Sequence, residues 1–120
     1  MTSINKNHRP IKKTSIRLTD EKHEKLIKNP RELNIWKNFY ESINSDASKY
    51  GYTNSLWVYM EFDGVTKYSQ LIDRPIDKIK TSIRNYLMSL KSRNLSTSYI
   101  RYTKAAIKHF YDMNEIENLL

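Results

Sequence analysis

The sequence predicts an all-α fold of four to five helices. Three observations carry that prediction. Glycine occurs twice and proline three times in 120 residues, too few punctuators for the many tight turns of an all-β fold. Apolar residues recur three and four apart in several separate stretches, the signature of amphipathic helices. Most of these stretches begin at a residue able to cap a helix.

Residues 1–19 read as a flexible basic arm and residues 20–120 as one helical domain. Within the arm, residues 14–18 alternate briefly like a strand, with Ile16 and Leu18 on one face. Thr19 then caps a short helix whose first residues, Asp20 and Glu21, suit the positive end of its dipole. Glu21–Lys25 and Glu24–Lys28 stand at favourable i,i+4 spacing.

Asn29, Pro30 and Glu32 predict the next start: an N-cap, a proline at the first helical position, and a carboxylate placed to close a capping box. Leu33, Trp36, Phe39, Tyr40 and Ile43 form its apolar stripe, which predicts an end near residues 46–48. Lys49-Tyr50-Gly51-Tyr52 reads as a turn, with Thr53 or Asn54 capping a helix that Asp63-Gly64 stops. A half-helix covers residues 67–72. Pro75 and Asp77 open a helix with Ile76, Ile79, Ile83, Tyr86, Leu87 and Leu90 inward and Lys80, Arg84 and Lys91 outward. Lys91-Ser92-Arg93-Asn94 ends it. Ser96 caps the last long helix, whose core stripe is Ile100, Thr103, Ile107, Phe110 and Tyr111, with Ala106 beside it.

Composition narrows the function classes. No apolar run approaches the roughly 20 residues of a membrane span, and the first 15 residues lack the apolar core of a signal peptide. Cysteine is absent, which removes disulfides, thiol catalysis and cysteine–zinc sites and fits a cytoplasmic location. The net charge is +8, which suits a polyanionic partner. It is unevenly spread: residues 64–108 carry ten basic groups against Asp73 and Asp77.

No complete active site is present. His8, His23 and His109 have no metal-ligand spacing, and no phosphate-binding glycine loop or nucleophile elbow occurs. No cofactor is expected. The informative feature is one face of the last helix, where Thr97, Arg101, Lys104 and Lys108 fall at i, i+4, i+7 and i+11. Like charges at that spacing repel, so a solvated face usually mixes signs. A same-sign face over three turns points to nucleic acid. Ser96, Thr97 and Ser98 add hydroxyl donors beside the free amides of the helix start.

Three stretches carry a resemblance. Tyr86-Leu87-Met88-Ser89-Leu90, then Arg93-Asn94-Leu95-Ser96-Thr97-Ser98-Tyr99-Ile100-Arg101, then Ala105 to Asn114 resemble the core-binding domain of tyrosine recombinases, the SAM-like N-terminal domain of phage-type integrases. The closing Met113-Asn114-Glu115-Ile116 is similar to archaeal integrase-type proteins. Asn29-Pro30, Trp36 and Phe39, and Thr53, Tyr59 and Phe62, are similar to the preceding helices of that group.

The resemblance implies a SAM-like bundle that clamps double-stranded DNA during site-specific recombination and integration. Its implied partners are a catalytic recombinase domain or other protomers on the DNA. By position it carries over Lys91, Arg93, Ser96, Thr97, Ser98, Arg101, Lys104 and Lys108 as DNA-facing residues, with Thr53, Asn54 and Ser55 as secondary candidates. The family's His-x-x-Arg motif is missing, since His8, His23 and His109 are followed by other residues. Catalysis by this chain alone is therefore not expected. Two alternatives stand beside it. Lys12 to Glu21 resemble the strand and first-helix start of a ribbon-helix-helix repressor, and a helical protein-interaction domain would also display a basic face.

Overall fold

The computed structural model describes residues 17–117 and 119. Six helices occur among them: α1 (Asp20–Leu26), α2 (Pro30–Tyr40), α3 (Asp46–Asp63), α4 (Tyr68–Ile72), α5 (Ile76–Ser92) and α6 (Thr97–Met113). The described residues contain no strand, so the fold is all-α. Of the strand expected over 14–18, residues 14–16 lie outside the described residues, and Arg17 and Leu18 are irregular. Leu18 is buried in the core, which places residues 17–19 with the body rather than with the arm.

Local chemistry sets most helix starts as expected. Thr19 Oγ1 accepts from the Lys22 amide at 3.2 Å. Asn29 Oδ1 accepts from the Arg31 and Glu32 amides at 2.9 and 3.2 Å. Glu32 does not close a capping box on its own helix. Its carboxylate is buried and reaches across to α4, where it accepts from the Tyr68 amide at 2.8 Å, the Ser69 amide at 3.2 Å and the Ser69 hydroxyl. A five-residue helix has little intrinsic stability, and an imported carboxylate supplies its N-terminal acceptor.

The largest departure from the sequence reading lies at residues 41–54. α2 stops at Tyr40, and α3 begins at Asp46 rather than near residue 54. Ser45 Oγ accepts from the Ser48 amide at 3.1 Å, and Asp46 sits at the positive end of the helix. Lys49-Tyr50-Gly51-Tyr52 is helical, not a turn. Gly51 is there because another helix comes close: a Cβ at this position would stand 2.1 Å from the Tyr102 hydroxyl of α6. Gly64, by contrast, ends α3 in the left-handed conformation (φ 79°), as its sequence position suggests.

α3 and α6 pack most extensively, and α2 and α5 flank them. Phe39, Leu56, Tyr59, Tyr68, Ile79, Ile83, Ile107, Phe110 and Tyr111 are fully buried between these helices. Burying each such side chain contributes about 1.5–3 kcal/mol. One polar node is built into this core. Arg74 pairs with Asp63 at 2.6 Å, both side chains only 12% exposed. Its Nη2 donates to the Tyr59 and Tyr111 hydroxyls at 3.3 and 3.4 Å. The Tyr111 hydroxyl in turn donates to the Leu71 carbonyl at 3.2 Å. Removing one member of a buried pair strands the other, so this node fixes α3, α4 and α6 in one arrangement.

Candidate nucleic-acid interface

Residues 93–96 join α5 to α6. Asn94 adopts φ 59°, the left-handed region that asparagine tolerates better than most residues. The Leu95 amide reaches the Leu90 carbonyl at 3.4 Å and the Asn94 amide reaches Lys91 at 3.0 Å, which is a Schellman stop. Ser96 Oγ then accepts from the Tyr99 amide at 3.1 Å and starts α6. Leu95 and Ile100 are both half-buried against the core and occupy the two positions of a hydrophobic staple. Four residues thus end one helix and begin the next.

All eight primary site residues lie on α5, this turn or α6. Lys91, Arg93, Ser96, Thr97, Ser98, Arg101, Lys104 and Lys108 are all exposed. The secondary candidates do not join them. Thr53, Asn54 and Ser55 sit inside α3, not at a helix start, because the helix begins earlier at Ser45. Ser55 is buried, and Asn54 accepts from Arg17 at 2.6 Å.

The ion pairs divide the molecule. Lys25 meets Glu21 at 3.9 Å, Arg31 meets Asp73 at 2.5 Å, Lys37 meets Glu41 at 4.0 Å, and Arg74 meets Asp63. On α5, the turn and α6 the pattern changes. Among the described residues no carboxylate pairs with Lys78, Lys80, Arg84, Lys91, Arg93, Arg101 or Lys104; elsewhere Lys22, Lys28, Lys49 and Lys67 also lack one, Lys22 reaching the Arg17 carbonyl at 3.5 Å and Lys49 lying over the Tyr40 ring. Lys108 is the exception on α6, held by Asp112 at 2.7 Å. The i,i+4 spacing of Lys108 and Asp112 was already present in the sequence.

Helix geometry places the cations of each helix on one side of it. On α5, Tyr86 faces α3, where its ring meets Tyr59 and Phe62 at 5.4 and 5.0 Å. Turning around the helix at 100° per residue come Leu90 and Ile83, then Leu87, then Lys80, Lys91 and Arg84. On α6, Tyr102 and His109 face α3, both against Tyr52, at 5.3 and 5.8 Å. Turning away come Ala106, Thr103 and Ile107, then Ile100, then Lys104, Lys108 and Arg101. The helices contact each other and share a four-residue connection. Lys91 before that turn, Arg93 within it and Arg101 after it therefore lie close along the chain. Lys80 and Arg84 stand further back along α5.

Beside the turn, burial pushes the Tyr86 phenol up to about 12, against the pull of the Arg93 and Arg17 cations. The Tyr86 hydroxyl has no hydrogen-bond partner among the described residues. His109 is half-buried with Nε2 at 2.7 Å from Ser42 Oγ. Burial lowers its pKa, opposed by Asp112. Among the described residues no group of three histidine or carboxylate side chains is placed to hold a metal ion. None of their helices is long and apolar enough to cross a membrane. No protein-family model, curated protein or solved structure matches the chain.

Proposed function

We propose that this chain is a double-stranded-DNA-binding domain with the role of a tyrosine-recombinase core-binding domain, acting in site-specific recombination and integration while a separate catalytic domain cuts the DNA. The observation that supports this reading best is the run of cations without counter-charges on α5, the turn and α6. Lys80, Arg84 and Lys91 on α5 and Arg93 in the turn are followed by Arg101 and Lys104 on α6, and the α6 start adds Thr97 and Ser98. Holding like charges together costs free energy in the free protein. Phosphates relieve that repulsion and release condensed counterions when they bind. The resemblance supplies the finer part of the proposal, the recombinase role and the archaeal-type relationship. Thr97 and Ser98 then contact the backbone, and Arg101, nearest the helix tip, is the residue best placed to reach a base edge.

The test is binding of a labelled DNA duplex across a salt series. Each phosphate neutralised contributes about −0.9 to the slope of log affinity against log salt. Lys91→Gln and Lys104→Gln should each lower that slope by roughly one, whereas Lys25→Gln, on a paired residue of α1, should leave it unchanged. Equal slopes for all three variants, with the fold intact, would sink the assignment. A tyrosyl–DNA adduct formed by the purified chain on a nicked substrate would overturn the claim that catalysis lies elsewhere.

A further inference from the structure

A second site lies on a different part of the molecule. A cleft of about 710 Å³ opens between α1, α2 and α3. Its inner wall is aromatic, formed by Trp36, Trp57 and Tyr40, and its rim carries Asp20, Glu24 and Asp46. None of these three carboxylates has an ion-pair partner among the described residues, whereas Glu21, Glu41, Asp63, Asp73 and Asp112 do. Two cations, Arg17 and Lys49, also line the cleft, and Arg17 is turned to Asn54, whose Oδ1 accepts from it at 2.6 Å. In a protein of net charge +8, three carboxylates against two cations around an aromatic wall still reverse the local sign. Two further observations concern the cleft itself. The Lys49 ammonium lies over the Tyr40 ring, 5.0 Å from its centroid, so one wall already holds a cation. Thr53 also lines the cleft, and its Oγ1 is buried behind that wall with no hydrogen-bond partner among the described residues.

We infer that this cleft binds an organic ammonium: a primary or methylated amine carried on an apolar or aromatic body. The body fits the indole wall, which offers apolar area and flat rings. The ammonium fits between the rim carboxylates, where attraction to the aromatic faces and to the anions adds. An anionic ligand of the same shape meets more like than opposite charge, three carboxylates against Arg17 and Lys49, and a neutral one gains only the apolar contact. Lys49 competes with the ligand, since its own ammonium occupies part of the same field. Removing it should therefore tighten binding, an outcome that simple hydrophobic adsorption does not give.

The probe is a matched series on one body: phenethylamine, 2-phenylethanol and 3-phenylpropionate, titrated into the full-length protein. Two-dimensional nitrogen–proton spectra follow the Trp36 and Trp57 indole N–H signals. Phenethylamine should shift both and saturate, with an affinity at least tenfold above that of the other two. The double variant Glu24→Gln, Asp46→Asn should weaken it severalfold, and Lys49→Met should strengthen it. These substitutions are at exposed or half-buried positions, and the dispersion of the remaining signals verifies the fold. Equal affinity for the three probes overturns the inference. So does a Lys49→Met change that leaves binding unchanged or weaker, or no shift with phenethylamine. Because this cleft shares no residue with the cation rows, loss of either site leaves the test of the other intact.

Discussion

The Tyr102 hydroxyl stands where a side chain at Gly51 would begin, 2.1 Å from the place of its Cβ. The ring also meets Tyr52 edge-on, with centroids 5.3 Å apart. Tyr102 is 40% exposed, so it can swing away if pushed, but it loses that contact. In an unconstrained helix interior, Gly→Ala gains about 1 kcal/mol. Gly51→Ala should therefore stabilise the protein by clearly less than this, or not at all. In a Tyr102→Ala background the gain of about 1 kcal/mol should return. Urea denaturation of the two singles and the double measures the coupling, and identical effects of Gly51→Ala in both backgrounds would refute it.

Asp112 neutralises the one α6 cation that the stripe would otherwise present free. The Lys108–Asp112 pair is exposed, so its loss should change stability by no more than about 0.5 kcal/mol. Asp112→Asn frees Lys108 for phosphate and should raise duplex affinity, steepening the salt slope by up to about 0.9. A weaker or unchanged affinity in this variant would remove Lys108 from the interface.

Glu32 is the acceptor for the start of α4. Glu32→Ala leaves the Tyr68 and Ser69 amides without their partner and should cost about 1–3 kcal/mol. Glu32→Gln keeps one acceptor oxygen and should cost less. Amide exchange distinguishes this from general loosening: Tyr68 and Ser69 should lose protection in Glu32→Ala before the amides of α6 do.

His23 gives the protein a defined acid sensitivity. Burial lowers its pKa below the ordinary histidine value, more than nearby Glu24 and Asp20 raise it. The folded state then holds fewer protons than the unfolded state as the pH falls below about 6.5. The stability from neutral His23 is complete above that value and is lost as the pH drops toward the folded pKa. Its ring-proton signals should titrate below those of a histidine in the urea-unfolded chain. A folded midpoint at or above the unfolded one would contradict the burial argument.

The parts of the fold written in local chemistry were legible in the sequence. Thr19, Asn29 and Ser96 act as caps where their neighbours predict it, and Gly64 stops α3. What escaped depends on residues far apart in the chain. Gly51 reads as a turn because the reason for a glycine there, Tyr102, is 51 positions away. The stripe through Ile43 suggests a longer α2, but Ile43 buries itself equally well from the bend before Ser45. Glu32 fits a capping box by spacing, yet its partner is α4. The α6 row of the candidate site follows from periodicity alone. Thr53, Asn54 and Ser55 fall outside that site because α3 begins at Asp46, where Ser45 caps it, and not near residue 54.

Both tryptophans lie against one imidazole, Trp36 at 4.5 Å and Trp57 at 5.4 Å from the His23 ring, and the Trp57 N–H donates to the Tyr68 hydroxyl that also meets His23 Nδ1, each at 2.9 Å. The intrinsic emission of the protein is therefore a local gauge of how α1 sits on α2 and α3. It is blind to the hairpin of α5 and α6, whose nearest fluorophores are tyrosines. An unfolding curve recorded at indole wavelengths reports the seating of a seven-residue helix, and the same curve recorded by far-ultraviolet dichroism reports the long helices. If the two coincide, α1 melts with the body; if the optical signal departs first, its detachment is a separate early step.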